Sequence, residues 1–132
     1  MRDIKFRAWD KITKKMCVVW DIGFKGWDSP DETINYVNIE IENEGTVKRL
    51  PNEVEVSEFT GLNDKNGNDI YEGDIVNCQY MLGKVKTKEV IFFKGAFCAT
   101  HIKNPAIGVL LGSHQEIEII GNIHENPELL KE

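Results

Sequence analysis

Apolar and polar positions alternate from the start of the chain. Ile4, Phe6 and Ala8 interleave with Lys5, Arg7 and Trp9, the period of a half-buried strand. The polar run Asp10–Lys15 turns the chain, and Met16–Ile22, rich in Val and Trp, follows as a second strand. Residues 4–22 therefore read as a β-hairpin. Gly23–Glu32, with two Gly, a Pro and several acidic residues, reads as a loop whose Phe24 and Trp27 are expected to fold back onto the sheet. From Ile34 the apolar phase is Ile34/Tyr36 and then Val37/Ile39/Ile41, a slip of one that predicts a bulge or a strand end. Asn43-Glu44-Gly45 is a turn, after which Val47–Leu50 pairs back until Pro51 ends the ladder. Val54 and Val56 alternate with Glu53, Glu55 and Ser57 to give a strand with one acidic face.

The second half opens on the most turn-like stretch of the chain, Asn63–Asp69, in which Asn66-Gly67 is expected to form a type I′ turn. A strand follows with Asp74, Val76, Cys78 and Tyr80 on one side. Val90–Phe93 and Phe97–His101 form a hairpin across Lys94-Gly95-Ala96, Ile117–Ile123 is the last strand, and Glu125–Leu130 is a tail or a single helical turn. No segment keeps a helical period over the ten or so residues that a helix needs. Short strands at close intervals predict a mainly β protein, divided into residues 1–58 and 59–132 or forming one continuous globular unit.

Composition supports a folded chain. The 132 residues suit one domain or two small ones, and 41% hydrophobic with 29% charged residues lies close to globular averages. A chain of this size buries roughly two thirds of its unfolded surface, so it needs neither disulfide nor metal to fold. The charged N-terminus lacks an apolar signal core, and no stretch approaches the ~20 apolar residues of a membrane span, so the expected location is the cytoplasm. Cys17, Cys78 and Cys98 are an odd, widely spaced set inside apolar segments and read as buried thiols.

The net charge of -6 argues against a strongly basic nucleic-acid binder, but it is unevenly distributed. Residues 1–15 carry a net +4, residues 28–74 a net -10, residues 84–103 a net +4 and residues 116–132 a net -4. Opposed blocks can pair within one fold or between copies of it.

The candidate chemistry is thin. Asp64-Lys65-Asn66-Gly67-Asn68 invites a calcium loop, but Asp69 stands where the invariant Gly belongs and Ile75 where the bidentate Glu belongs. His101, His114, His124 and Cys98 supply at most one short ligand pair, too few for a zinc site. Ser29, Ser57 and Ser113 have no nucleophile-elbow context, and no Gly-rich phosphate loop is present. The expectation is no enzyme, no catalytic residue, no metal and no cofactor. Lys84, Lys86 and Lys88 would line one face of an extended segment, near Phe92, Phe93 and Phe97, which makes them the candidate interaction surface.

Three segments carry a family resemblance. They are Lys5-Phe6-Arg7-Ala8-Trp9-Asp10, the central run Phe59-Thr60-Gly61-Leu62-Asn63-Asp64-Lys65-Asn66-Gly67-Asn68-Asp69-Ile70-Tyr71-Glu72-Gly73-Asp74-Ile75-Val76, and Ile120-Gly121-Asn122-Ile123-His124-Glu125-Asn126-Pro127-Glu128-Leu129. Their order and spacing resemble the YopX family of bacteriophage- and prophage-encoded proteins, with His124 departing from the aromatic more usual there. The resemblance implies an N-terminal antiparallel β-hairpin region followed by an SH3-like β-barrel in the C-terminal half. It brings no catalytic or binding residues. The central signature is then expected to be structural: Asn66 and Gly67 close a turn, Gly73 permits a bend, and Asp74 bonds backbone N–H groups. The functional expectation is a non-enzymatic phage accessory protein of the host cytoplasm, one that self-associates as a homo-oligomer or binds a phage or host protein. The alternative is a nucleic-acid-binding module using the basic strand.

Overall fold

The computed structural model describes residues 3–25, 33–79, 85–100, 109–110 and 116–130. It is mainly β, with two antiparallel sheets, and its contacts divide it into two compact units. One is Lys5–Ser57; the other is Glu58–Glu132 with Met1–Ile4.

The first unit is built from β1 (Phe6–Asp10), β2 (Lys15–Phe24), β3 (Ile34–Ile41), β4 (Gly45–Arg49) and the start of β5 (Val54–Asn63), in the order β4-β3-β2-β1-β5. Three consecutive hairpins give the meander, and a 3-10 turn over Pro51–Glu53 carries the chain back to β1. Glu53 fixes that turn by accepting the Leu50 N–H at 2.8 Å, and its carbonyl accepts from the Lys11 N–H at 2.9 Å. One sheet face carries the core: Ala8, Cys17, Val37, Ile39, Ile41 and Val54, flanked by Val19, Ile22, Ile34, Val47 and Val56. The alternation Val37/Ile39/Ile41 puts all three on this face.

The phase slip expected at Tyr36-Val37 is met close by, at Asn35, and it separates Ile34 from Tyr36. Gly23 pairs with Tyr36 but Phe24 pairs with Ile34, which leaves Asn35 as an extra residue. The bulge returns Ile34 to the core face, so both apolar phases are used. Tyr36 remains on the other face, and its ring lies so close over Gly23 that a Cβ there would clash with it. A second irregularity leaves Trp20 unpaired between Val19↔Ile39 and Asp21↔Asn38. Phe24 does not fold back as expected. It ends β2 at 63% exposure, because the strand extends beyond Ile22 and carries the ring outward. Trp27 lies outside the described residues.

In the second unit β5 continues and pairs with β6 (Asp69–Tyr71), with Phe59 opposite Tyr71 and Asn63 opposite Asp69. The mismatch is taken up at Thr60–Leu62. There Gly61 has φ +88° and the Thr60 hydroxyl donates to the Ile70 carbonyl at 2.7 Å. The sheet that follows has β7 (Asp74–Gln79), β8 (Val85–Phe93), β9 (Ala96–Thr100), β10 (Val109–Leu110) and β11 (Glu116–Asn122), in the order β10-β9-β8-β7-β11. Its core is Ile70, Val76, Cys78, Val90, Ala99 and Ile117. Strand β8 reaches further back than its apolar run, taking in the lysine segment, and β10 was not foreseen from the sequence. All three cysteines are buried and free. No helix of the described residues is long and apolar enough to cross a membrane.

The turn chemistry differs from expectation at one point. Asn66 keeps a negative φ and only Gly67, at +83°, is left-handed, so this is not a type I′ turn. The primed signature belongs instead to Lys94 (φ +50°) and Gly95 (φ +82°), the two-residue loop between β8 and β9.

Candidate functional site

The central signature is organised around Asp64, only 6% exposed. One carboxylate oxygen accepts from the Asn66 and Asn68 N–H groups, both at 2.9 Å, and the other from the Ile119 N–H at 3.1 Å. The Lys65 N–H donates to the Ile117 carbonyl at 2.9 Å. Strand β11 pairs with β7 on one side only, and this turn covers its other edge, with a side-chain carboxylate in place of a strand partner. Burial opposes the charge on Asp64, but the backbone hydrogen bonds from Asn68, Ile119 and Asn66 outweigh it and hold the carboxyl below its usual range.

The remaining signature residues serve neighbouring backbone. Asp74, 1% exposed, accepts the Tyr71 N–H at 2.7 Å. Gly73, at φ +89°, donates to the Val90 carbonyl at 2.8 Å and accepts from the Ile123 N–H at 2.9 Å. In the closing segment the Asn122 carboxamide oxygen accepts from the His124 and Glu125 N–H groups at 3.0 and 2.9 Å. A Cβ on Gly121 would meet the Asn126 Oδ1 at 2.5 Å. Sequence reading picked out Asn66, Gly67, Gly73 and Asp74 but not Asp64 or Asn122, whose roles depend on where β11 runs and how it ends.

A second buried carboxylate was also missed. Asp10, fully buried at the end of β1, accepts from Arg49 Nε at 2.9 Å, Arg49 Nη2 at 3.3 Å and the Thr13 hydroxyl at 2.5 Å. The Thr13 and Ile12 N–H groups add bonds of 3.2 and 3.4 Å. Desolvation would raise its pKa, yet the bonds from Arg49 and Thr13, with that from Ile12, bring it down to about 2. Arg49 is on β4, with β3 and β2 lying between it and β1 in the sheet order, so the contact requires a strongly coiled sheet.

Of the basic-strand candidates, Lys84 lies outside the described residues. Lys86 pairs with Cys78 and Lys88 with Val76, which places both lysines on the sheet face that carries the core. Lys86 is exposed, while Lys88 is half-buried near Cys78. Burial pushes the Cys78 thiol up to about 11, and the Lys88 charge only partly offsets this. Further along the same face Phe92 is 53% exposed and packs edge-on against Phe97, with ring centroids 5.0 Å apart. Among the described residues no three or more His, Cys, Asp or Glu side chains gather as metal ligands. His101 and His114 lie outside them.

A surface feature of the first unit has no counterpart in the sequence reading. The β2–β3 ladder stops at Val18↔Glu40, although β2 begins at Lys15 and β3 runs on to Ile41. Here β2 is paired only with β1, and β3 only with β4. The space left between them is an open concavity of about 430 Å³, lined by Lys15, Met16, Val18, Glu40 and Glu42 among others. Val18, on its lining, and Trp20, two residues further along β2, are 57% and 59% exposed.

The family model described as "YopX protein" matches residues 5–131. The chain belongs to the YopX family. Protein EF1440 from Enterococcus faecalis is similar over 99% of this chain and 100% of its own, with 25% identity and a TM-score of 0.61. Protein yopX from Bacillus subtilis is similar in fold over the same shares, with 21% identity and a TM-score of 0.64. No curated protein matches the chain. The family match spans all three sequence segments that carried the resemblance, and it includes Asp10, Asp64 and Asn122.

Proposed function

We propose that the chain is a non-enzymatic interaction module, an accessory protein of phage or prophage origin acting in the host cytoplasm, which presents its first unit to a protein surface. The observation that carries this reading is the more than half exposed Val18, on the lining of a concavity with Glu40 and Glu42, with the equally exposed Trp20 two residues further along β2. Exposed apolar area bordered by charge is the composition of a protein-binding surface. The absence of a catalytic role is supported by the employment of the two shifted carboxylates. Asp10 and Asp64 hold Arg49, Thr13 and backbone N–H groups rather than facing an open cleft. The SH3-like architecture proposed for the C-terminal half draws support from the order β10-β9-β8-β7-β11, in which the last strand returns beside the first.

The test is site-specific photo-crosslinking in expressing cells, with the reactive residue at position 18 or 20 and, as control, at the exposed Glu128. A discrete protein adduct from positions 18 and 20, absent from the control, supports the reading. No adduct from either position overturns it.

A further inference from the structure

Asn66-Gly67 is the one place in the chain where glycine follows asparagine. The backbone nitrogen after an asparagine can attack the carboxamide carbon and close a five-membered imide, and glycine has no Cβ to shield that nitrogen. Every other asparagine is followed by a residue with a side chain, or by proline, which has no N–H to give up. Asn66 and Gly67 are both exposed, so water reaches the step. The turn nevertheless holds the attacking nitrogen elsewhere. Three successive N–H groups donate to Asp64: those of Asn66 and Asn68 to its carboxylate, both at 2.9 Å, and that of Gly67 to its carbonyl at 3.0 Å. The Asp64 N–H closes the loop from the other side, on the Asn68 carbonyl at 2.8 Å. To form the imide, the Gly67 nitrogen must lose its proton and swing onto the Asn66 carboxamide, and either step breaks its bond to Asp64. The carboxylate held by the amides on each side also opposes negative charge on that nitrogen.

We propose that Asn66 is a self-modification site latched by Asp64, an amide while the turn is closed and converted to isoaspartate and aspartate once it opens. The bond formed joins the Gly67 nitrogen to Asn66 Cγ. The bond broken is Asn66 Cγ–Nδ2, whose nitrogen leaves as ammonia with the proton that Gly67 gave up. Water then adds to either imide carbonyl, and the ring C–N bond to that carbon breaks, returning a proton to the Gly67 nitrogen. Attack at the main-chain carbonyl leaves isoaspartate, which routes the backbone through the side chain and lengthens it by one carbon. One carboxylate oxygen then no longer spans the N–H groups of residues 66 and 68. The same Asp64 carboxylate holds the Ile119 N–H, and the Lys65 N–H beside it holds the Ile117 carbonyl. The modification is therefore one-way: a turn that has opened and reacted does not close again over the edge of β11.

The test follows residue 66 in the full chain at neutral pH and 37 °C, by mass spectrometry of peptides that separates amide, aspartate and isoaspartate forms. In urea, Asn66 should convert faster than any other asparagine. In the folded wild type its rate should fall at least about tenfold, because the reaction proceeds only through the open fraction of turns. Asp64→Ala, read under conditions where circular dichroism shows it folded, should regain most of the unfolded rate. Asp64→Asn keeps one acceptor oxygen and the fold but loses the charge, so its rate should lie between; it decides the matter if Asp64→Ala does not fold. Asn66→Gln, which keeps the backbone bonds of the turn but would have to close a larger ring, serves as the unreactive blank. Folded wild type isolated in the isoaspartate form should show faster amide exchange at Ile119 than the unmodified chain. The inference is overturned by equal rates in folded and unfolded wild type, by Asp64 variants no faster than wild type, or by unaltered Ile119 exchange in the isoaspartate form.

Discussion

Three buried polar residues, Asp10, Asp64 and Asn122, join parts of the backbone that the strand ladders leave unpaired, and each lies within a sequence motif the family resemblance draws on. The three bonds that Asp64 accepts from backbone are charge-assisted and shielded. Asp64→Ala is expected to cost about 2–4 kcal/mol in urea unfolding, and Asp64→Asn less, since a carboxamide keeps one acceptor oxygen for Asn66 and Asn68. Asp10 gives a pH signature. Its folded pKa of about 2 lies below the ordinary value of 3.8 that it has in the unfolded chain, so it adds stability that is fully present above about pH 4. That contribution, about 2 kcal/mol, is lost as pH falls from 3.8 towards 2. Acid titration of the unfolding free energy should show this slope in the wild type, and a shallower one in Asp10→Asn. The turn residues around Asp64 could be read from composition, since Asn, Asp and Gly mark turns wherever they cluster. Its bond to Ile119, 55 residues away, could not.

Among the elements, β11 depends most on a neighbour outside its own sheet. With β7 on one side and the signature turn on the other, its edge is closed by the Lys65–Ile117 backbone bond and the Asp64 carboxylate. Lys65 follows Asp64 in a turn closed by the Gly67 N–H donating to the Asp64 carbonyl, a position that tolerates proline. Lys65→Pro therefore removes chiefly one N–H donor. It should cost about 1–2 kcal/mol and speed amide exchange at Ile119 relative to the β7–β8 ladder. Unaltered exchange at Ile119 would mean the edge is protected in some other way. Strand existence was largely written in the alternation, as Val37/Ile39/Ile41 and Val54/Val56 illustrate. Strand limits were not. β8 takes in Lys86 and Lys88 because pairing with β7 satisfies their backbone whatever their side chains, and a two-residue strand such as β10 is too short to have a period.

At the scale of the whole molecule, the two units share a strand order, with three hairpin connections and a last strand returned beside the first in the N-terminal one, and each has its own core. The charge blocks acquire different meanings within these units. The central acidic block contributes Glu40 and Glu42 to an exposed concavity, whereas Lys86 and Lys88 of the second basic block lie on a core-bearing face. Titration with single-stranded DNA at low salt is accordingly expected to give no salt-sensitive binding; binding that is lost in Lys86→Ala would reinstate the nucleic-acid alternative. The sequence by itself determined the mainly β class, the positions of most strands and the family, because alternation, turn residues and a long specific motif are local properties. Only the tertiary structure decided what Asp10, Asp64 and Asn122 do, which face the lysines share and where the β2–β3 ladder opens. Those depend on which distant backbone groups are left without a partner once the strands have paired, and no local pattern encodes that.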